Sequence, residues 1–298
     1  MGENLERSCY FCLNFFRHMQ SNTITVIKPK SNILELNIRE IWQYRDLVGM
    51  YVRRDIVTFY KQTILGPLWF VIQPVLTTIM FMFVFGNLAG LSTDGLPQAL
   101  FYFSGILFWN YFADCLNRNS RVFVDNQAVF GKVYFPRLVV PLSVTIANLV
   151  RLAIQATMFV ILYGYFALTG AQVAPNAYLF LLPVFVIITA GLSLGFGVIF
   201  SSLTTKYRDL TFLLQFGVQL WMYVTPIIYP LSSIPANKQW VVMLNPMSSV
   251  IEAFKFAALG TGSFSWFWLA YSTVFMLLLL LLGVVVFNKI EKSFIDIV

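Results

Sequence analysis

Six stretches of the chain are apolar and long enough to cross a hydrocarbon core about 30 Å thick, which takes about 20 helical residues. They run Leu68–Gly86, Ala99–Leu116, Leu138–Leu168, Tyr178–Leu203, Phe212–Tyr229 and Trp266–Phe287. A bilayer offers no water to backbone N–H and C=O groups, so such segments must fold as helices that close their own hydrogen bonds. Only 11% of the 298 residues are charged and 58% are hydrophobic, whereas about a quarter of a soluble domain is charged. The expected fold class is an all-α membrane protein with six transmembrane helices. An N-terminal amphipathic interfacial helix and re-entrant outer half-helices before the last span complete it.

Lysine and arginine set the orientation. Nine precede the first span, Arg118, Arg121, Lys132 and Arg137 lie between spans two and three, two lie between spans four and five, and two follow span six. All seventeen fall on one side, against Lys238 and Lys255 on the other. The positive-inside rule then places both termini in the cytoplasm. Because the net charge of +7 is spread over loops, no nucleic-acid partner is expected. Arg151 sits early in the long third stretch, where it is expected to snorkel to the headgroups. No signal peptide is expected, because the apolar patch Cys9–Phe16 is short and broken by Asn14.

Residues 1–33 show no period and are read as an irregular cytoplasmic N-terminus. Residues 34–66 are read as an amphipathic interfacial or gate region. Leu34, Ile38, Ile41, Trp42, Val48, Val52, Ile56, Phe59 and Tyr60 recur near the helical period, opposite Arg39, Arg45, Arg53, Arg54 and Lys61. This helix is expected to lie apolar side down on the bilayer, divided at Gly49. Residues 67–288 hold the six spans and 289–298 a cytoplasmic tail. In the outer segment Pro230–Ser263, the runs Val241–Leu244 and Val250–Leu259 are apolar but too short to span. They read either as re-entrant half-helices, tolerated where they line a cavity, or as a small packed cap.

No G-x-x-x-x-G-K-[ST], H-E-x-x-H or G-x-S-x-G occurs, and no paired carboxylates suggest acid–base work. Cys9-x-x-Cys12 with His18 lacks a fourth ligand, so no metal site is expected. The chain is therefore expected to be no enzyme and to bind no cofactor. Of thirteen acidic residues, Asp114 alone falls within a span, and Glu252 is placed at shallow depth in the outer segment. Ion-driven carriers need ionisable groups near the midplane, so the energy source is expected on another subunit.

Aromatic and amide side chains mark three spans: Trp69, Phe70 and Gln73 before Pro74; Trp109, Asn110 and Tyr111; and Gln215, Gln219, Trp221, Tyr223 and Tyr229. Sugar rings stack their C–H faces on aromatic rings, and their hydroxyls need amide-type partners. These residues read as a glycan channel or as helix packing and interfacial anchoring. Between Asn117 and Pro141, a short helix ending at Gly131 and an aromatic turn before Pro136 form a compact protrusion suited to docking a soluble partner.

Several runs together resemble the ABC-2 type polysaccharide export permeases, from Ile33 to Val298. They are Arg54-Asp55, Tyr60-Lys61-Gln62-Thr63 leading into Leu65-Gly66-Pro67-Leu68-Trp69, and Gln73-Pro74. Lys132 to Arg137 with Pro141-Leu142-Ser143, Tyr207-Arg208-Asp209, Asn245-Pro246-Met247, and the tail from Glu291 to Asp296 complete the set. The resemblance implies a half-transporter that forms a homodimer and pairs with two copies of an ATP-binding cassette subunit, which holds ATP and Mg. The cargo it implies is a lipid-linked glycan (O-antigen, capsule or teichoic acid), moved outward across the cytoplasmic, inner membrane. Spans one and five would line the channel. Asn126, Gln127, Val129, Phe130, Gly131, Lys132, Phe135 and Arg137 would couple to the ATPase. Pro235, Trp240, Asn245, Pro246, Glu252 and Phe256 would form the periplasmic gate. Two rival readings are an ABC-2 exporter of a drug or small lipid, and a membrane-embedded transferase using Asp114 or Glu252. Gly191 and Gly195 are expected to allow close helix contact within the subunit rather than between subunits.

Overall fold

The computed structural model describes residues 38–61, 66–130, 135–171 and 173–297. Cys9, Cys12, His18, Gly131 and Lys132 lie outside the described residues. Every regular element among the described residues is a helix, and Leu34–Val298 form one compact unit.

Two helices precede the first span, α1 (Ile38–Gln43) and α2 (Arg45–Lys61). The division falls at Tyr44, not at Gly49, which lies inside α2 with open space around it. A lone interior glycine costs a helix only about 1 kcal/mol, too little to break one whose other face is packed. That face is not free to lie on lipid. Val48 and Tyr51 are buried in a cluster with Phe135, Val139, Val140 and Val144, and Asp55 is also buried.

Next comes α3 (Trp69–Phe81), which continues to Leu88 in wider π turns. Helix α4 (Gln98–Asn119) is the centre of the fold, with 15 of its 22 residues buried. A helix covered on every side belongs in a core. It is packed by α3, α7 (Val139–Leu168), α8 (Leu182–Lys206) and α11 (Pro246–Leu259). Two single-turn helices, α5 (Val122–Asp125) and α6 (Gln127–Phe130), link α4 to α7. The last part of the chain holds α9 (Leu210–Val224), α10 (Ala236–Met243), α11 and α12 (Trp266–Ile297). Helix α12 runs on through residues 289–297, where the sequence suggested a separate tail.

Among the described residues, four helical segments are both long and apolar enough to span: Trp69–Leu88, Val139–Leu168, Ala177–Lys206 and Trp266–Lys289. The pair α10–α11, bent by 110°, makes at most a fifth. Helix α4 is long enough, but its polar residues place it among neighbours rather than lipid. At 15 residues α9 is only about 22 Å long, given a rise of about 1.5 Å per residue. It stops where Thr225 turns extended before Pro226, as a residue preceding proline tends to do. The span expected over Phe212–Tyr229 is therefore cut short.

Two ends of the bundle can be told apart. At one, the Thr204 hydroxyl donates to the Ser120 carbonyl (2.5 Å), and Phe123 stacks on Phe287 with centroids 4.7 Å apart. This end carries Arg118, Arg121, Arg137 and Lys206 and is the basic end of the bundle. At the opposite end, the Asn176 amide donates to Phe256 O (3.0 Å) beside the glycine C-cap of α11, Gly260 at φ 78°. A Cβ there would also press on Ala174 O at 2.9 Å. Gly191 and Gly195 bring α8 against α12 within this chain, since a Cβ at Gly195 would fall 2.9 Å from Leu279 Cγ.

Candidate functional site

Pro74 has no N–H, so the Phe70 carbonyl four residues earlier loses its helical donor. Gln155 on α7, only 3% exposed, brings Nε2 within 3.5 Å of that oxygen. A neighbouring helix thus satisfies what the proline orphaned, as transmembrane prolines require. One turn away on α7, Arg151 lies over the Phe70 ring, 4.5 Å from its centroid, and pairs with Asp114 of α4. Arg151 therefore does not snorkel. A carboxylate within reach solvates the guanidinium inside the bundle, as intramembrane charges require. Helices α3, α4 and α7 are tied at a single polar knot.

The basic end contains a cavity of about 530 Å³. Helix α2 contributes Arg54, Asp55 and Thr58 to its wall, and the last turn of α4 contributes Asn117 and Arg118. Arg121, Asp125 and Asn126 line it from the α5 segment, and Gln215 closes it from α9. Within this wall Arg54 donates to Asp55 through Nη2 (2.8 Å) and Nε (3.0 Å), while Arg121 reaches Asp125 at 3.5 Å. Arg54 also stacks over Tyr51, whose phenol is pushed above its ordinary value by burial, the guanidinium opposing.

Beside the cavity, Phe123, Phe130, Phe135 and Phe287 form an aromatic anchor, with Phe130 5.7 Å from both Phe123 and Phe135. Phe130 and Phe135, expected on the docking surface, are buried. Arg137 covers Phe130 at 5.8 Å, Val129 is half-buried, and the Asn126 amide donates back to Val122 O. Asp125, Gln127 and Ala128 are the exposed edge of this segment.

At the opposite end, α11 is almost wholly buried, Pro246 included. Asn245 caps it by accepting from Met247 N–H and donating to the Thr225 hydroxyl (2.9 Å). Glu252, expected at shallow depth, and Lys255, expected in the outer segment, are each 1% exposed and face one another at 3.7 Å. The Lys255 ammonium donates to Pro226 O (2.6 Å) and sits 3.8 Å above the Phe101 ring. The Ser263 N–H is 3.4 Å from the other carboxylate oxygen of Glu252. Removing one partner from such a buried pair costs about 3–5 kcal/mol. Pro235 and Trp240 on the α10 side are exposed, and Phe256 stacks on Phe264 with ring centroids 5.9 Å apart.

The aromatic and amide residues divide between two environments. Trp109 and Trp221 meet edge-on at 6.3 Å in a cluster with Phe112 and Phe196, and the Tyr111 hydroxyl donates to Thr145 O. Phe70 is buried, Asn110 is half-buried, and Tyr229 donates to Val224 O at the end of α9. Trp69 and Gln73 on α3, and Gln215, Gln219 and Tyr223 on α9, face outward. Packing thus accounts for the first group, while the second is free to meet a ligand or a second subunit. Asp114 and Glu252, the carboxylates a transferase would need, are each held by a cation. Sequence reasoning missed Gln155 and Lys255. Pro74 was the available signal for Gln155, and the i, i+3 spacing of Glu252 and Lys255 for the ion pair.

Residues 47–259 match the family described as ABC-2 type transporter. The chain belongs to this family. The matched region of this ABC-2 protein runs from α2 through α11, so it takes in the polar knot, the cavity, the α5–α6 segment and the buried ion pair. Over 255 residues (85% of this chain and 95% of the relative) it is 28% identical to a Klebsiella pneumoniae protein named O-antigen export system permease protein RfbA. A Myxococcus xanthus protein of the same name is 28% identical over 223 residues, 73% of this chain and 82% of the relative. An Escherichia coli protein named polysialic acid transport protein KpsM is 23% identical over 241 residues, 80% of this chain and 92% of the relative.

Proposed function

We propose that this ABC-2 protein is the permease subunit of an ATP-driven exporter that moves lipid-linked polysaccharide outward across the cytoplasmic membrane. What carries the reading is near-full-length similarity to relatives named as permeases or transport proteins for O-antigen and polysialic acid. The permease works as a homodimer with two copies of an ATP-binding subunit, where ATP and Mg reside. Its six spans are α3, α4, α7, α8, α9 and α12, and both termini lie on the cytoplasmic side with the basic end. The α10–α11 pair is the outer gate, and α2 lies along the cytoplasmic surface.

Asp125, Gln127 and Ala128 touch the ATP-binding partner. Closure of that partner on ATP pushes α5–α6, and the Phe123–Phe287 and Phe130–Phe135 contacts pass the movement to α12 and α2. Trp69 and Gln73 of α3, with Gln215, Gln219 and Tyr223 of α9, face the path of the glycan. Its C–H faces stack on the rings and its hydroxyls meet the amides. The test is export in vesicles holding this chain and its ATP-binding partner. ATP-dependent movement of a lipid-linked glycan is expected; movement of a small amphipathic drug with no glycan movement would sink the proposal.

A further inference from the structure

Helix α9 carries Gln219 and Tyr223 on its exposed surface, yet little along its length holds it in place. Of its 15 residues only Leu214 and Val218 are buried, and lipid supplies no hydrophobic force to press the others against the bundle. The chain just beyond its end is different. Thr225, Pro226, Ile227 and Ile228 leave the helix and are all buried. This strap lies directly on α4 at Gly105, where a Cβ would fall 3.1 Å from Ile227 Cα. The helix is therefore located by its tether more than by its sides.

Buried backbone outside a helix must find its hydrogen-bond partners elsewhere. Two side chains of the α11 region reach the strap. The Asn245 amide donates to the Thr225 hydroxyl (2.9 Å), and the Lys255 ammonium donates to Pro226 O (2.6 Å). An ammonium is a demanding choice, since a buried cation needs a counter-charge. Glu252 supplies it one turn earlier at 3.7 Å, and the Phe101 ring faces the same nitrogen at 3.8 Å. In return, a hydrogen bond from a charged donor is about twice as strong as a neutral one. A tether of that strength suits a helix with so few buried side chains.

We propose that Lys255 is a positioning residue for transport: through the Pro226 carbonyl it fixes where α9 ends, and so sets Gln219 and Tyr223 at the cargo's path. A corollary is that α11 cannot move outward without drawing the end of α9 with it. That the cargo is a glycan rests on the exporter reading above, whereas the tether itself does not.

Lys255→Met alone would strand the Glu252 charge, so the test pairs it with Glu252→Gln, which leaves the site neutral and keeps an acceptor for the Ser263 N–H. Lys255→Leu with Glu252→Gln is a second packing of the same neutral site. With Cys9, Cys12 and Cys115 replaced by Ala, spin labels on Val224→Cys and Phe180→Cys, both exposed in the wild type, report where α9 ends in the full-length chain. The paired variants should melt close to the wild type, with the label distance shifted and broadened. An unchanged distance, or failure of both paired variants to fold, overturns the proposal. Export by the assembled complex is then compared in two backgrounds. The paired variants should slow it roughly tenfold, the scale of one charge-assisted contact, but add little when Gln219→Ala and Tyr223→Ala are already present. An equal loss in both backgrounds would show that Lys255 does not act through those two residues, and also overturns it. Absence of glycan export by the wild-type complex sinks the exporter reading, and the label distance, measured on the chain alone, still decides the tether.

Discussion

Gln155 is buried in an apolar helix because a proline on the neighbouring helix leaves a carbonyl without its donor. The contact is long, at 3.5 Å, yet the alternative for the Phe70 carbonyl is an unmet acceptor in a membrane interior. Gln155→Leu should therefore lower stability by about 1–3 kcal/mol, the desolvation cost of an unpaired buried group. In a Pro74→Ala background the backbone N–H gained at that position restores the helical bond, and the same Gln155→Leu substitution should cost much less. A double-mutant cycle on thermal unfolding in detergent reads the difference; equal costs in both backgrounds would show that Gln155 serves packing alone. The same local logic sets Arg151, which reaches Asp114 across two helices instead of stretching toward headgroups.

At the scale of the element, α5 and α6 are four residues each, far too short to be stable as isolated helices. They hold their shape because Phe123 and Phe130 are sunk in the aromatic anchor while Asp125, Gln127 and Ala128 stay outside. Substitutions on the two faces should therefore fail differently. Gln127→Trp or Ala128→Trp should leave a folded protein with ATP hydrolysis no longer tied to export. Phe130→Asp should instead reduce the yield of folded protein, because it buries a charge without a partner. ATPase and export rates of the assembled complex, set beside melting curves, separate the outcomes. A well-folded Phe130→Asp protein with uncoupled hydrolysis would put Phe130 on the docking surface after all.

Over the whole molecule, the spans were legible where hydropathy ran long, as in α7, α8 and α12. Their covering was not, because lipid and protein are equally apolar neighbours and periodicity cannot tell them apart. For that reason α2 showed an apolar stripe but not that Phe135 and the first turns of α7 cover it. Trp109 and Gln73 looked alike as channel residues, although one is buried and the other is exposed. The polar groups of the candidate sites were legible as types, and pairs such as Arg151 with Asp114 needed the fold, since 37 positions separate them.

The 110° bend between α10 and α11 bears on how the protein is made. Neither half is long enough to be released sideways into lipid as it leaves the insertion machinery, and α11 carries an ion pair that lipid would reject. The hairpin must therefore stay out of the lipid until its walls exist, and one wall, α12, is synthesised after it. Ser249 and Ser272 lie 2.5 Å apart across that last contact. A Ser249→Cys chain truncated before Trp266 should be labelled readily by a membrane-impermeant maleimide, while the full-length variant should be protected. Protection in both would mean that the hairpin settles before the last helix arrives. The order of assembly, with the final span closing over a segment made earlier, is thus written into the depth at which α11 lies.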